Sequence, residues 1–173
     1  ADVSNFKNPI LLGRIDLEGD NRSVAVDMGR ALAYVAGGEA GLHVIDVSDP
    51  LMPALVSTTE IEGGATAVYN LGGAVLVAGA ALTVHSTAGG PSIQIVDIGA
   101  PVIDIALDGG TVYALTERTL TALSFNGTEL EVVSTFDLPF PDPSDRRLDS
   151  GASLDDPQVF INNGVAYIAN GYE

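Results

Sequence analysis

Short apolar runs separated by turn residues dominate the chain. The runs are rich in β-branched residues and are interrupted by Gly, Pro and Asn. This pattern predicts β-strands, because a helix needs apolar positions at a period of 3.6 over a longer stretch. In residues 31–37 and 41–48 both alternating faces are apolar, which predicts a sheet that is covered on both sides.

Two kinds of segment recur along the chain. Residues 55–61 are similar to residues 132–138 and 11–17, and a second segment, residues 33–37, has its own set of counterparts. These counterparts are residues 75–79, 112–115 and 166–169. Each of them follows a Gly-rich or Asn-rich pair, which supplies the positive φ that tight hairpins need. The spacing indicates a repeat of about 40 residues.

The first complete unit predicts the strand content of one repeat. Its four apolar runs predict strands at 23–28, 31–37, 41–48 and 54–61. About four such units predict an all-β fold, a β-propeller built from four-stranded antiparallel blades. A β-sandwich would not repeat in sequence, and a β-solenoid repeats at shorter periods.

The units divide residues 1–173 into one β-propeller region with unequal parts. We predict the end of one blade at 1–17, a blade at 23–61, a blade at 65–99, a blade at 102–138, an acidic insertion at 139–157 and a partial blade at 158–173. The two ends together supply the first, second and fourth strands of one blade, and the third strand of that blade is missing. We therefore expect part of a larger propeller, with a neighbouring chain that supplies the missing strand as the alternative.

The blade at 65–99 is predicted to lack its outer strand. The interval from Asp97 to the next turn glycine, Gly110, is about half of that from Asp46 to Gly73. The same unit carries extra residues at 80–90. We expect this insertion to form a replacement edge strand or a protruding hairpin.

One stretch of the first unit resembles a known repeat. Residues 34–50, YVAGGEAGLHVIDVSDP, are similar to the LVIVD repeat, and residues 92–98 retain the pattern. The resemblance fades at residues 120–125, where Ser124 replaces the aspartate of the motif. The resemblance implies a secreted or cell-surface β-propeller of bacteria or archaea, with no catalytic residues to carry over.

Charge and composition disfavour or exclude several classes of partner and site. The chain has 23 acidic residues, 7 basic residues and a net charge of −16. This balance disfavours nucleic acids and anionic membrane surfaces as partners, because both need clustered Lys and Arg. No apolar run is long enough to insert into a membrane. The chain has no cysteine, so disulfides, thiolate metal sites and cysteine nucleophiles are excluded.

Aspartate recurs at one position of the repeat. Asp46, Asp97 and Asp2 each end an apolar run. One interpretation places these carboxylates around a central channel. The other gives Asp46 and Asp97 a structural role, in which each accepts backbone N–H bonds of the turn that follows. Recurrence at a turn favours the structural role.

The two histidines lie in different units. His43 and His85 could form a metal pair only with further ligands, and the sequence indicates no third one. We predict a half-buried, hydrogen-bonded His43 and an exposed His85.

The acidic insertion is the best candidate for a site. It contains the aspartates Asp142, Asp145, Asp149, Asp155 and Asp156. Carboxylate oxygens on a long loop suit Ca²⁺. The insertion lacks the regular spacing of an EF-hand loop, and Arg146 and Arg147 offset part of its charge. The missing spacing favours the alternative, a solvated loop or one that packs on a partner.

These observations lead to two hypotheses about function. The first is a non-enzymatic extracellular structural or interaction propeller that presents loops or strand edges to protein partners, including copies of itself. The alternative is a calcium-supported hydrolase or ligand-binding propeller that uses the central channel or the 139–157 loop. The sequence has no G-x-S-x-G motif, and we assign no catalytic residue.

Overall fold

The regular secondary structure of the described residues consists of β-strands. The computed structural model describes residue 4 and residues 7–127, 129–139 and 157–169. The strands are β1 (Ser23–Asp27), β2 (Leu32–Ala36), β3 (Leu42–Asp46), β4 (Ala54–Thr59), β5 (Ala67–Asn70), β6 (Ala74–Ala78), β7 (Leu82–Ser86), β8 (Ser92–Val96), β9 (Asp104–Asp108), β10 (Thr111–Leu115), β11 (Thr119–Phe125), β12 (Leu130–Asp137), β13 (Gln158–Asn162) and β14 (Val165–Ala169).

The strands form four antiparallel sheets in which each strand pairs with the next along the chain. Sheet 1 contains β1–β4, sheet 2 contains β5–β8, sheet 3 contains β9–β12, and sheet 4 contains β13 and β14. Strands β1–β4 coincide with the four strands predicted for the first unit. The turns use the predicted residues: Gly109 and Gly110 join β9 to β10, and Asn163 and Gly164 join β13 to β14, all with positive φ.

The hydrophobic core lies between neighbouring sheets. Tyr34 and Val44 of sheet 1 pack with Val75 and Val77 of sheet 2. A second cluster joins sheets 2 and 3, and a third joins sheets 3 and 4. The first strand of each sheet is innermost, since β1, β5, β9 and β13 line one cavity. Successive sheets packed face to face around an axis form a β-propeller, so the predicted fold class is confirmed.

The prediction that the blade at 65–99 lacks its outer strand is wrong. Sheet 2 has four strands, and the predicted insertion contributes the third strand, β7. Strand β8, whose sequence resembles the third strand of sheet 1, lies outermost. The physical reason is side-chain burial: Leu82 and Val84 of β7 are fully buried, whereas Ile93 and Ile95 of β8 are exposed.

Residues 11–17, predicted as an outer strand, form no strand in the described structure. Ile15 and Leu17 instead pack against Ala33, Val35 and Ile45 on the face of sheet 1 that points away from sheet 2. Between later sheets, apolar residues of the linkers pack in the core in the way that Ile15 and Leu17 pack on sheet 1. The residues of these later linkers are Ile61, Ile98 and Leu138. The segment therefore covers one part of the free face of sheet 1.

Candidate functional site

The two repeated aspartates contact the turns that follow them. Asp46 Oδ1 accepts the backbone N–H of Ser48 at 2.8 Å, and Asp97 Oδ1 accepts that of Gly99 at 2.8 Å. Hydrogen bonds from the side chain and the backbone of Ser48 hold the pKa of Asp46 below its usual value. These are the contacts that a structural turn role requires. Asp2 lies outside the described residues.

His43 is hydrogen-bonded as predicted, but it is fully buried rather than half-buried. Its Nε2 lies 3.0 Å from the carbonyl oxygen of Glu18, and its Nδ1 lies 2.9 Å from the hydroxyl of Thr58. A carbonyl only accepts hydrogen bonds, so Nε2 donates to Glu18. In the neutral imidazole Nδ1 then accepts from the hydroxyl of Thr58. The imidazole is therefore engaged in holding the linker before β1 against β3 and β4.

The prediction that His85 is exposed is wrong. His85 is buried because β7 is an interior strand of sheet 2. Its Nδ1 lies 3.0 Å from the carbonyl oxygen of Gly90, and its Nε2 lies 2.9 Å from the hydroxyl of Thr83. Burial lowers the pKa of His85 below 6.5.

This burial makes stability depend on pH. As the pH falls below 6.5, the unfolded chain binds a proton on His85 before the folded chain does, so the free energy of unfolding decreases until the folded pKa is passed. We expect urea unfolding, measured from about pH 7.5 to about pH 5, to show a steeper loss for the wild type than for His85→Gln. The variant retains every other titrating group, so identical pH profiles would contradict this role of His85.

A metal site is not formed by the described residues. Within them, no three His, Cys, Asp or Glu side chains are grouped so that they could hold a metal ion. The predicted calcium ligands Asp142, Asp145, Asp149, Asp155 and Asp156 all lie outside the described residues. A calcium site in this loop therefore stays a prediction.

The innermost strands enclose a cavity of about 760 Å³. The innermost strand of each of the four sheets contributes one residue to its lining, namely Ser23, Ala67, Asp104 and Gln158. Asp20 and Arg22 of the linker before β1 and Thr66 of the linker before β5 complete the polar part of the wall. Burial raises the pKa of Asp104. Its carboxylate accepts the backbone N–H of Ile105 at 2.9 Å and that of Val159 at 2.8 Å, which ties sheet 3 to sheet 4.

The charged groups of the cavity are engaged with the protein itself. Arg22 forms an ion pair with Asp20 at 2.8 Å, and both oxygens of Asp104 accept backbone N–H bonds. The cavity offers space and polarity for a small ligand. The repeat pattern predicted the channel as a candidate site but none of these side chains, because they come together only when the four sheets are arranged around the axis.

The free side of sheet 4 is a second candidate site. In the described part of the chain, β14 pairs with β13 and with no other strand. Phe160, Val165 and Tyr167 lie on the face that points away from sheet 3, and each is more than half exposed. The rings of Phe160 and Tyr167 are neighbours, with centroids 6.3 Å apart. Sheet 4 thus presents an apolar face and an open strand edge together.

Comparison with known proteins confirms the repeat and the fold. Residues 18–60 match the model of the LVIVD repeat. The chain is similar in structure to the computationally designed Ika4 protein, with a TM-score of 0.61, 10% identity, and coverage of 94% of this chain and 98% of that one. A search of the curated proteins finds no match.

Two natural proteins have a similar structure over part of their length. BamB from Moraxella catarrhalis aligns with a TM-score of 0.62 and 17% identity, covering 87% of this chain and 47% of BamB. The N-terminal domain of Nup159 aligns with a TM-score of 0.50 and 13% identity, covering 80% of this chain and 35% of that domain. The chain therefore spans less than half of either protein, and identities this low show the fold alone. No helix in the described ranges is long and apolar enough to cross a membrane.

Proposed function

We propose that this chain is a non-enzymatic, extracellular interaction propeller that presents the free side of sheet 4 to a protein partner. One observation carries the proposal. Sheets 1, 2 and 3 each have four strands, whereas sheet 4 has two in the described residues and leaves an apolar face exposed. Exposed apolar faces of this kind mark interaction surfaces in soluble proteins.

The open edge of β14 favours a polypeptide as the partner. The backbone groups of β14 that point away from β13 pair with no strand in the described structure. An extended segment that added itself here would satisfy those groups, as in β-augmentation. The exposed side chains Phe160, Val165 and Tyr167 would supply apolar contact area at the same place.

The extracellular part of the proposal rests on the LVIVD resemblance and on charge. A net charge of −16 keeps a protein soluble and disfavours contact with nucleic acids. Fractionation of the source cells tests the compartment. Recovery of the chain from the cytosol alone would contradict this part of the proposal.

Site-specific photocrosslinking in the source cells tests the interaction. A photocrosslinking amino acid replaces Val165 in β14, and the matched control replaces Val133 in β12, which is also an exposed valine of a strand. We expect covalent adducts with a protein from position 165 and none from position 133, because only the first position lies on the free side of sheet 4. A chain that forms no protein adduct from position 165 would contradict the proposal.

The central cavity favours a second candidate, a ligand-binding propeller. The observation is the volume of about 760 Å³ between the innermost strands, with the half-buried carboxylate of Asp104 in its wall. Calcium at the 139–157 loop belongs to the same candidate. A ligand that binds only the folded chain raises the Tm, so unfolding is compared in Ca²⁺ and in Mg²⁺ at equal ionic strength. A rise specific to Ca²⁺ supports the calcium site, and equal Tm values remove it.

A further inference from the structure

The repeat places one apolar residue of each innermost strand against the preceding sheet. This residue is the second of the strand in every sheet: Val24 in β1, Val68 in β5, Ile105 in β9 and Val159 in β13. The last three are 6%, 7% and 8% exposed, because a preceding sheet covers them. Val24 is 64% exposed, because in the described structure no sheet precedes sheet 1. We call this side of a sheet its leading face.

We call the opposite side of each sheet its trailing face. In sheets 1, 2 and 3 this face is covered by the following sheet. The central residue of the second strand packs toward the following sheet: Tyr34 in β2, Leu76 in β6 and Tyr113 in β10. Strand pairing puts Tyr167 of β14 at this position in sheet 4. Tyr34 is fully buried and its hydroxyl donates to the carbonyl of Thr87 in the β7–β8 loop at 3.0 Å, whereas Tyr167 is 58% exposed.

The free faces at the two ends of the chain are therefore two halves of the same kind of interface. The leading face of sheet 1 and the trailing face of sheet 4 carry the side chains that mate at the three interior interfaces. The strands of neither face place an Asp, Glu, Lys or Arg side chain there. On the segment that covers part of sheet 1, Arg14 and Asp16 neutralise each other in an ion pair. The trailing face of sheet 4 is formed by Gln158, Phe160, Asn162, Val165, Tyr167 and Ala169. In a chain of net charge −16, uncharged faces are the places where two copies can approach without repulsion.

We propose that the partner of sheet 4 is sheet 1 of a second copy of this chain, packed head to tail. This inference rests on the proposed function, since it identifies the occupant of the same free side. The second copy would cover the apolar face of sheet 4 rather than pair with the edge of β14. Two copies of four sheets each would close a ring of eight, which lies at the upper end of the four to eight blades typical of propellers. Closure uses both free faces of each copy, so the assembly stops at a defined size.

The interfaces between sheets within one chain indicate which side chains would meet between sheet 4 and sheet 1 of the second copy. Tyr167 is expected to donate its hydroxyl to a backbone carbonyl in the β3–β4 loop of the partner, as Tyr34 does to the β7–β8 loop of sheet 2. Phe160 is expected to pack on the exposed side chains of β1 in the partner. Ile15 and Leu17, which lie on the leading face of sheet 1, would line the rim of the same contact.

Analytical ultracentrifugation of the whole chain over a wide range of concentrations tests the proposal. We expect a mass twice the 17.7 kDa of one chain at high concentration. Phe160→Glu and Val24→Glu each place a charge on one of the two mating faces, and both should sediment as single chains. Ile93→Glu is the matched control, because Ile93 is equally exposed but lies on the outermost strand β8, and this variant should still associate.

A mixture of the two single-chain variants separates head-to-tail packing from other modes. The Phe160→Glu copy retains the unchanged leading face of sheet 1. The Val24→Glu copy retains the unchanged trailing face of sheet 4. The mixture should therefore regain a two-chain species that neither variant forms alone. If Phe160→Glu abolished association while Val24→Glu had no effect, the contact would join two copies of sheet 4, and the head-to-tail proposal would be overturned.

Circular dichroism tests whether the Phe160→Glu and Val24→Glu variants remain folded. Both residues are exposed, so each variant should retain the wild-type spectrum and unfold at a similar temperature. A wild-type chain that stays single at every concentration overturns the inference. The proposed function would survive that result if the crosslink from position 165 joined a different protein, and it would fail if that position gave no protein adduct.

Discussion

Leu76→Ala is expected to lower the free energy of unfolding by about 2–5 kcal/mol. Leu76 is fully buried in β6, an interior strand of sheet 2, and packs in the core between sheets 2 and 3. Truncation removes apolar contacts and leaves a cavity, which strands held by pairing on both sides cannot collapse to fill. Urea unfolding followed by circular dichroism measures the loss.

The control for this prediction is an exposed leucine. Leu51 lies in the β3–β4 turn and is largely exposed, so Leu51→Ala should change stability by less than about 0.5 kcal/mol. If Leu76→Ala does not fold, Ile105→Val removes one methyl group from the same core and should cost about 0.5–1.5 kcal/mol. A loss at position 76 no larger than at position 51 would contradict a core between the sheets.

Gly41→Ala is expected to cost at least about 3 kcal/mol, for two reasons that add. Gly41 precedes β3 with φ at +90°, a conformation that is strained for alanine. The new Cβ would also collide with the carbonyl oxygen of Thr59, which is backbone at the end of β4 and cannot turn aside. The chain would have to open the pairing of β3 with β4 to accept the methyl group.

Gly110→Ala separates the two contributions. Gly110 also has a positive φ, at +86°, close to the +90° of Gly41, but nothing lies within 4 Å of the position that its Cβ would take. This variant should lose only the conformational part, about 1–2 kcal/mol. Urea unfolding of both variants gives the difference between them. Equal losses would show that the close approach of Thr59 to Gly41 carries no cost.

Strand positions were predictable because they depend on local pattern. The runs at 23–28, 31–37, 41–48 and 54–61 each satisfy the apolar and turn rules within a few residues, and β1–β4 follow them. The order of strands in sheet 2 was not predictable in that way. Residues 92–98 resemble the third strand of sheet 1, yet β8 is outermost, because β7 buries more apolar side chains between the neighbouring sheets.

The candidate site was only partly predictable for a related reason. The edge of an incomplete last blade was expected from the unit boundaries, and the turn contacts of Asp46 and Asp97 follow from local chemistry. The environment of Tyr167 does not follow from local chemistry. Tyr34 and Tyr167 occupy the same position of the repeat, and in the described residues a following sheet covers Tyr34 and none covers Tyr167. No local pattern could distinguish them.

Hydrogen exchange of sheet 4 as a function of protein concentration tests most directly whether a second chain covers its free face. The measurement compares the peptide that contains β13 and β14 with one that contains β5 and β6, which are covered by neighbouring sheets at every concentration. The account predicts that exchange in β13 and β14 slows as concentration rises, while exchange in β5 and β6 stays constant. Exchange in β14 that is fast and independent of concentration would contradict it.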